Sequence, residues 1–157
     1  MNKTYEQQRE SMTDLKYPPH MGENNCVILF DGICKLCNVW SKFIIKVDTQ
    51  HRFKLCSVQS PEGQSILKHF NMPTDHYDTM LYVEGNKCFE KSDAFLNVIN
   101  KLGLSWRILY VCKILPKGIR NWFYDRVVLN RYSLFGKFDS CMSPSEENKH
   151  RFLKSKY

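Results

Sequence analysis

The chain has 157 residues, enough for one domain with a hydrophobic core and too few for two comfortable ones. Hydrophobic residues make up 43% and charged residues 25%, which excludes a disordered chain and a membrane-embedded one. The formal net charge of +7 is the excess of 23 basic over 16 acidic residues, and because the basic residues are spread along the chain we expect no specific nucleic-acid partner.

The beginning of the chain and its cysteines predict a cytoplasmic protein. Residues 1–25 are polar and mixed in charge, and we expect an N-terminal extension without an export signal or a membrane anchor. The seven cysteines are odd in number, which favours free thiols over a disulfide framework. Cys26, Cys56 and Cys112 lie inside apolar runs, where a thiol behaves as a small buried hydrophobe.

The first predicted unit is a strand, a tight turn and a helix. Residues 26–30 form a short apolar run rich in β-forming residues, and Asp31 and Gly32 follow as a turn signal. Beyond the turn, apolar residues recur at the spacing of an amphipathic helix: Leu36, Val39, Trp40, Phe43, Ile44 and Val47.

A second strand, a second helix and a hairpin follow in chain order. Residues 52–58 alternate polar and apolar side chains, as a strand with one buried face does. Ser60 can cap a short helix over residues 61–70. Residues 79–83 and 87–90 flank a loop that contains glycine, which predicts an antiparallel pair of strands.

A third helix is predicted to begin at Ser92, whose hydroxyl can cap it, and to stop at Gly103. The order over residues 26–103 is then β-α-β-α-β-β-α. Strands separated by helices pair in parallel and hairpin strands pair antiparallel. The sequence therefore predicts an α/β, thioredoxin-like domain with a mixed four-stranded sheet and helices on both faces.

Residues 104–144 are predicted to form a helical C-terminal extension that packs on this domain. Its two helices, at 105–115 and 117–130, are separated by Pro116 and rich in large apolar side chains. The polar tail over residues 145–157 is expected to be loosely held.

The chemistry is predicted to reside in Cys34 and Cys37, which lie three residues apart at the start of the first helix. Unpaired N–H groups and the positive end of the helix dipole stabilise an anion at this position. We therefore expect Cys34 to be the more acidic thiol, with its pKa lowered from about 8.5 into a range of roughly 3.5 to 7.5. The charge of Lys35 would act in the same direction.

In this mechanism the Cys34 thiolate attacks a disulfide, and Cys37, one helical turn on and less exposed, resolves the mixed disulfide. Asp31 could either cap the helix or take the proton from Cys37. A C-x2-C pair is also half of many zinc sites, but the chain has no second pair, so we expect no metal.

Three blocks of the sequence resemble the DCC family of predicted thiol-disulfide oxidoreductases. Asp31, Cys34 and Cys37 match the Asp-Cys-Cys signature, and Ser92-Asp93-Ala94 opens a helix as in the family. The third block comprises Asn130-Arg131-Tyr132, Phe135-Gly136, Asp139, Cys141 and Pro144. The resemblance spans about residues 26–144 and implies a thioredoxin-like fold with a helical C-terminal extension.

Better-understood thioredoxins carry a cis-proline before the strand that begins here at Thr79, and this chain has Asp78 there instead. Thr79 is therefore a possible contact of a thiol substrate, as are Ser92 and Asp93. A cis bond before a non-proline residue costs about 2.5 to 4 kcal/mol, so we expect a trans peptide and a differently shaped substrate groove. Asp78 would also place negative charge near Cys34 and oppose its acidification.

Two further thiol-related sites are open to interpretation. Ser92 and Asp93 resemble the place where glutaredoxin and glutathione transferase folds hold the γ-glutamyl end of glutathione, although ordinary helix capping explains them as well. Cys141 could serve as a third redox thiol if the extension folds over the pair, or it could be a buried structural thiol.

These features predict a thiol-disulfide oxidoreductase of the protein-disulfide reductase type. It would hold no bound cofactor beyond a redox-active Cys34–Cys37 disulfide, which would exchange with glutathione or a thioredoxin-type donor and act on a disulfide-containing protein or small molecule. The alternative is a non-catalytic binding or adaptor module with the same fold. Such a module could contact a membrane surface, since Arg107 and Lys113 accompany a strongly apolar stretch.

Overall fold

The computed structural model describes residues 17–75, 79–103, 106–139 and 145–153 of the protein. These residues contain four strands, four α-helices and two short 3-10 helices, which we call η1 and η2. In chain order the elements are β1 (Cys26–Phe30), α1 (Lys35–Val47), β2 (Phe53–Ser57), α2 (Pro61–His69), β3 (Leu81–Glu84), β4 (Lys87–Glu90), α3 (Lys91–Leu102), η1 (Arg107–Ile114), α4 (Lys117–Phe135) and η2 (Glu146–Arg151).

The strands form one sheet in the order β2-β1-β3-β4. β1 pairs in parallel with β2 and antiparallel with β3, which in turn pairs antiparallel with β4. The predicted mixed four-stranded sheet with its flanking helices and a C-terminal helix is therefore confirmed, and the arrangement is that of a thioredoxin-like fold. Within the described ranges, no helix is both long and apolar enough to cross a membrane.

β1 is buried on both faces because helices cover both sides of the sheet. Successive strand side chains point to opposite faces. Ile28 and Phe30 pack with residues of α1 and α3, whereas Val27 and Leu29 pack with residues of α2. This two-sided burial explains why the sequence of β1 is continuously apolar rather than alternating.

The predicted start of α2 is confirmed and the predicted cap of α3 is wrong. Ser60 Oγ accepts the N–H of Gly63 at 3.1 Å, as a helix cap does. α3 begins at Lys91 with Glu90 at the N-cap, so Ser92 lies inside its first turn. The Ser92 hydroxyl instead donates to Oδ1 of Asn121 in α4.

The C-terminal extension differs from the prediction in form and in how it docks. Its first segment is the 3-10 helix η1, rich in β-branched and aromatic residues that favour an α-helix only weakly. α4 docks through polar groups: the Tyr124 oxygen accepts from Thr79 Oγ1 at 2.8 Å and from the Met80 N–H at 3.0 Å. Most of the large apolar side chains expected to pack on the domain are exposed.

The expectation of a loosely held tail is wrong for residues 145–153. The side chain of Arg151 is buried, and its Nη2 lies 2.6 Å from Oδ2 of Asp48 at the end of α1. The Leu153 N–H donates to the Leu55 carbonyl at 2.8 Å, and this hydrogen bond holds the end of the tail beside β2. The Phe152 ring contacts Phe30 edge to face. A buried charge with a partner and an apolar ring fix this segment, although its composition is polar.

Candidate functional site

Cys34 and Cys37 lie at the start of α1, just after the turn that follows β1. After β1 the chain makes a tight turn, in which the Cys34 N–H donates to the Asp31 carbonyl at 3.2 Å. Cys34 is the N-cap of α1, and its sulfur accepts the Cys37 N–H at 3.4 Å. The predicted position of the pair at the helix start is confirmed. The sulfur occupies the place that a serine or aspartate oxygen takes in an ordinary cap.

The two thiols have opposite electrostatic environments. A hydrogen bond from the Cys37 thiol, the Cys37 N–H and the charge of Arg131 together lower the pKa of Cys34 to about 6, against burial and the charge of Asp31. The pKa of Cys37 is raised far above its usual range by its hydrogen bond to Cys34, by burial and by the Cys34 charge. At neutral pH, Cys34 is therefore mainly thiolate and Cys37 keeps its proton.

A buried ion pair adjoins the cysteines. Arg131 Nη2 lies 3.0 Å from Asp31 Oδ2, and the two side chains are only 3% and 4% exposed. The Tyr132 hydroxyl donates to the same carboxylate oxygen. Gln59 Nε2 donates to the other oxygen, Oδ1, at 2.8 Å. Asp31 is thus the centre of a polar cluster; it does not cap α1, since the Cys34 sulfur does.

Arg131 and Tyr132 were not predicted as site residues. They come from the last turns of α4, about a hundred positions beyond Asp31 in the chain, and no local pattern connects the two regions. In the sequence, the Asn130-Arg131-Tyr132 block carries only a resemblance to a family. A buried arginine needs an acidic partner, so this block together with the acidic residue before the C-x2-C could have suggested the pair.

A short segment after α4, Gly136–Phe138, crosses over Cys34, and we call it the strap. The Lys35 N–H donates to the Gly136 carbonyl at 3.3 Å, and the Phe138 N–H donates to the Ile33 carbonyl at 2.7 Å. These bonds form a β-bridge between Cys34 and Lys137. Gly136 permits the sharp exit from α4, since its φ of +80° lies in the left-handed region that favours glycine.

The strap reverses the predicted order of exposure. Cys34 is 0% exposed, whereas Cys37 is partly exposed. The expectation that Cys37 is the less exposed thiol is therefore wrong. Cys34 is buried because the strap covers it, and the strap lies about a hundred residues further along the chain.

Lys35 is placed differently from the prediction. Its Nζ lies 5.4 Å from the centroid of the Phe138 ring in the strap. The positive charge that lowers the pKa of Cys34 is that of Arg131. Lys35 therefore contributes a contact to the covering segment.

The other predicted site residues are placed as follows. Asp93 accepts from Arg120 Nη1 at 2.9 Å and from Lys117 Nζ at 3.0 Å, so α4 covers the start of α3, where Ser92 and Asp93 lie. Thr79 is bonded to α4 as described above. Asp78 and Cys141 lie outside the described residues.

The other described cysteines lie outside this site. Burial raises the pKa of Cys56 to about 11 and that of Cys88 to about 12. Cys26 is buried as predicted, but Cys112 is exposed, because η1 turns outward. Among the described residues, no group of three His, Cys, Asp or Glu side chains could hold a metal ion.

Comparisons with known proteins identify a family and relatives of the chain. Residues 28–137 match the family of DCC1-like thiol-disulfide oxidoreductases. The chain is 41% identical over 129 residues to the uncharacterized protein YuxK of Bacillus subtilis. The aligned region covers 82% of this chain and 94% of that protein. The chain is 30% identical over 116 residues to a chloroplastic DCC family protein of Arabidopsis thaliana, covering 73% of this chain and 67% of that protein. No solved structure matches the chain.

Proposed function

The chain belongs to the family of DCC1-like thiol-disulfide oxidoreductases, and from this membership we propose that it reduces disulfides with Cys34 as nucleophile and Cys37 as resolving thiol. The observation that carries the proposal is the opposite shift of the two pKa values. The pKa of Cys34 is lowered to about 6 and that of Cys37 is raised. One thiol is thus ready to attack at neutral pH while its neighbour holds a proton in reserve.

In the first step the Cys34 thiolate attacks one sulfur of the substrate disulfide. The substrate S–S bond breaks, its electron pair leaves on the departing thiolate, and a mixed disulfide with Cys34 forms. This step also changes Cys37. The charge of Cys34 and its hydrogen bond to the Cys37 thiol both raise the pKa of Cys37. Formation of the mixed disulfide removes the charge and weakens the hydrogen-bond acceptor, so the pKa of Cys37 falls. The charge of Arg131 still favours the Cys37 thiolate.

In the second step Cys37 passes its proton to the substrate thiolate released in the first step, and the resulting Cys37 thiolate attacks the Cys34 sulfur. The bond between Cys34 and the substrate breaks, and the second substrate thiolate leaves. The substrate has gained two electrons, and the Cys34–Cys37 pair is now a disulfide. A dithiol of the thioredoxin type or two molecules of glutathione would restore it. Such donors are abundant in reducing compartments, so the proposal places the protein in one such as the cytoplasm.

Substrate access requires the strap to move, because Cys34 is fully covered. The strap is held across Cys34 by two backbone hydrogen bonds, and its Lys137 and Phe138 side chains are exposed. Segments with few buried contacts open locally at much lower free energy than global unfolding. Opening of the strap therefore precedes the first attack in this mechanism.

The proposal is tested by exchanging each cysteine for serine and assaying reduction of oxidised glutathione and of insulin. We expect Cys34→Ser to abolish turnover, because the nucleophile is lost. Cys37→Ser should accumulate a glutathionyl group on Cys34, detected by mass spectrometry, because the mixed disulfide cannot be resolved. Cys112→Ser, which removes an exposed thiol elsewhere, is the matched control and should keep full activity. Undiminished turnover in Cys34→Ser would remove the mechanism.

A further inference from the structure

Helix α4 carries its polar contacts on the side that faces the domain and its apolar residues on the side that faces solvent. Arg120, Tyr124 and Arg131 bond to α3, to the start of β3 and to Asp31. Residues three and four apart share a helix face. Large apolar side chains are exposed over much of the remaining surface of α4, and they are Ile119, Trp122, Phe123, Val127, Leu129 and Leu134. A helix that covers a core shows the reverse pattern.

Helix η1 extends this apolar surface. Ile114 is 83% exposed, and Ile108 and Val111 are exposed as well. Among the described residues, every exposed large hydrophobic side chain except Val39 lies between residues 108 and 138. We call the exposed apolar side chains of η1 and α4 the outer face. So concentrated a surface marks an interaction site, whereas single exposed apolar residues are ordinary.

The charges around the outer face are positive. Between residues 106 and 135 the chain has a single acidic residue, Asp125, which pairs with Lys91 of α3 at 2.9 Å. The same stretch contains six basic residues. Three of them are paired with Asp93 or Asp31, namely Lys117, Arg120 and Arg131, whereas Arg107, Lys113 and Arg126 have no acidic partner among the described residues. Arg126 lies 5.2 Å from the Trp122 ring and Lys113 lies 4.9 Å from the Tyr110 ring, so cations accompany the exposed aromatic side chains.

The exposed apolar side chains and the positive charges together indicate which kind of partner binds the outer face. A second copy of the chain would bring like charges together in a face-to-face dimer, which is unfavourable. An anionic lipid surface matches both properties, since it takes up aromatic and aliphatic side chains and attracts the flanking arginines and lysines. We propose that the outer face lies in the interface of a membrane that contains anionic lipid.

The position of the outer face gives the contact a consequence for the redox site. Leu134, on this face, is two residues before Gly136, where the strap over Cys34 begins. A membrane in contact with the outer face would therefore adjoin the strap. Resting on the proposed function, this inference identifies the substrates as disulfides presented at a membrane surface.

The test is flotation of the full chain with vesicles, a readout that does not depend on redox activity. We expect the protein to float with vesicles of phosphatidylcholine and phosphatidylglycerol, and to be released by salt or by omission of phosphatidylglycerol. Phe123→Asp should reduce the bound fraction at least about tenfold, because it removes an apolar contact and adds an anion. Lys113→Glu with Arg126→Glu should also weaken binding.

Val39→Asp is the matched control, since Val39 is a 65% exposed apolar residue of α1 outside the outer face. It should float like the unmodified chain, and circular dichroism should show that all variants keep their helices. Equal loss in Val39→Asp and Phe123→Asp would overturn the proposal. So would failure to bind anionic vesicles, whether the chain stays monomeric or sediments as a dimer or with an acidic protein.

Discussion

Arg131 stabilises two neighbours at once, the Asp31 carboxylate and the Cys34 thiolate. Its guanidinium is buried, so its charge is weakly screened by solvent. Asp31 holds Arg131 in place but opposes ionisation of Cys34, whereas Arg131 favours it. The acidity of Cys34 therefore reflects a balance between two buried charges of opposite sign, in addition to the hydrogen bonds from Cys37.

This balance predicts opposite effects of two substitutions. Arg131→Met should raise the pKa of Cys34, because it removes the favourable charge and leaves the unfavourable one. Asp31→Asn should lower that pKa, because it removes only the opposing charge. The ultraviolet absorbance of the thiolate during a pH titration measures both without requiring access to the sulfur. The unmodified chain should show a midpoint near pH 6.

Movement of both midpoints in the same direction would contradict this account. Lys35→Met is the control, since its ammonium lies by the Phe138 ring. It should leave the midpoint close to that of the unmodified chain.

At the scale of elements, α1 and α4 meet at the redox site through the strap. The bridge between Cys34 and Lys137 is backbone to backbone, so it depends little on the identity of the strap side chains. The Phe138 N–H is one of its two donors, and proline at this position would remove that donor.

Phe138→Pro should therefore increase the rate at which iodoacetamide alkylates Cys34. Loss of one hydrogen bond makes opening easier by a factor of roughly three to ten. The rate is measured by peptide mass mapping at pH 8, where Cys34 is already thiolate, so that access alone changes. Phe138→Ala keeps the N–H and removes the ring, and should accelerate alkylation much less. Equal rates in the two variants would mean that the backbone bond does not limit access.

At the scale of the whole molecule, the ion pair between Arg151 of η2 and Asp48 joins the C-terminal segment to the domain. Asp48 also accepts the Arg52 and Phe53 N–H groups, and it thereby joins the end of α1, the start of β2 and the tail. Breaking a buried ion pair from one side leaves an uncompensated charge, which is strongly destabilising.

Arg151→Met should lower the free energy of unfolding by about 3 kcal/mol, because the Asp48 carboxylate stays buried without its cation. Denaturation by urea measures the change. The double substitution with Asp48→Asn should cost less than Arg151→Met alone, because no lone charge remains. Lys149→Met breaks only the exposed pair with Glu146 and should change stability by less than about 1 kcal/mol. Similar losses for Lys149→Met and Arg151→Met would argue against a special role of the buried pair.

The sequence predicts the features that depend on near neighbours along the chain. The buried run of β1, the turn at Asp31 and the amphipathic pattern of α1 together place Cys34 and Cys37 correctly at a helix start. Three of the features that the sequence does not predict join distant segments. Arg131 beside Asp31, the strap over Cys34 and Arg151 beside Asp48 leave no periodic signal, because each is a contact across about a hundred residues.

The docking of α4 by polar groups was missed for a related reason. Its apolar residues have helical spacing, and such a pattern normally indicates the buried face. Here the buried face is the polar one, and only the partners Thr79, Asp93 and Asp31 reveal it.

The distance along the chain between Asp31 and Arg131 also orders events during synthesis. A chain made from its N-terminus presents Cys34, Cys37 and Asp31 well before Arg131 leaves the ribosome. During that interval the charge of Arg131, which lowers the pKa of Cys34 in the folded protein, is absent, so a smaller fraction of Cys34 is thiolate and the thiol reacts more slowly. Cys34 gains the stabilising charge of Arg131 only when α4 docks, so we expect the nascent chain to form mixed disulfides at Cys34 more slowly than the folded protein.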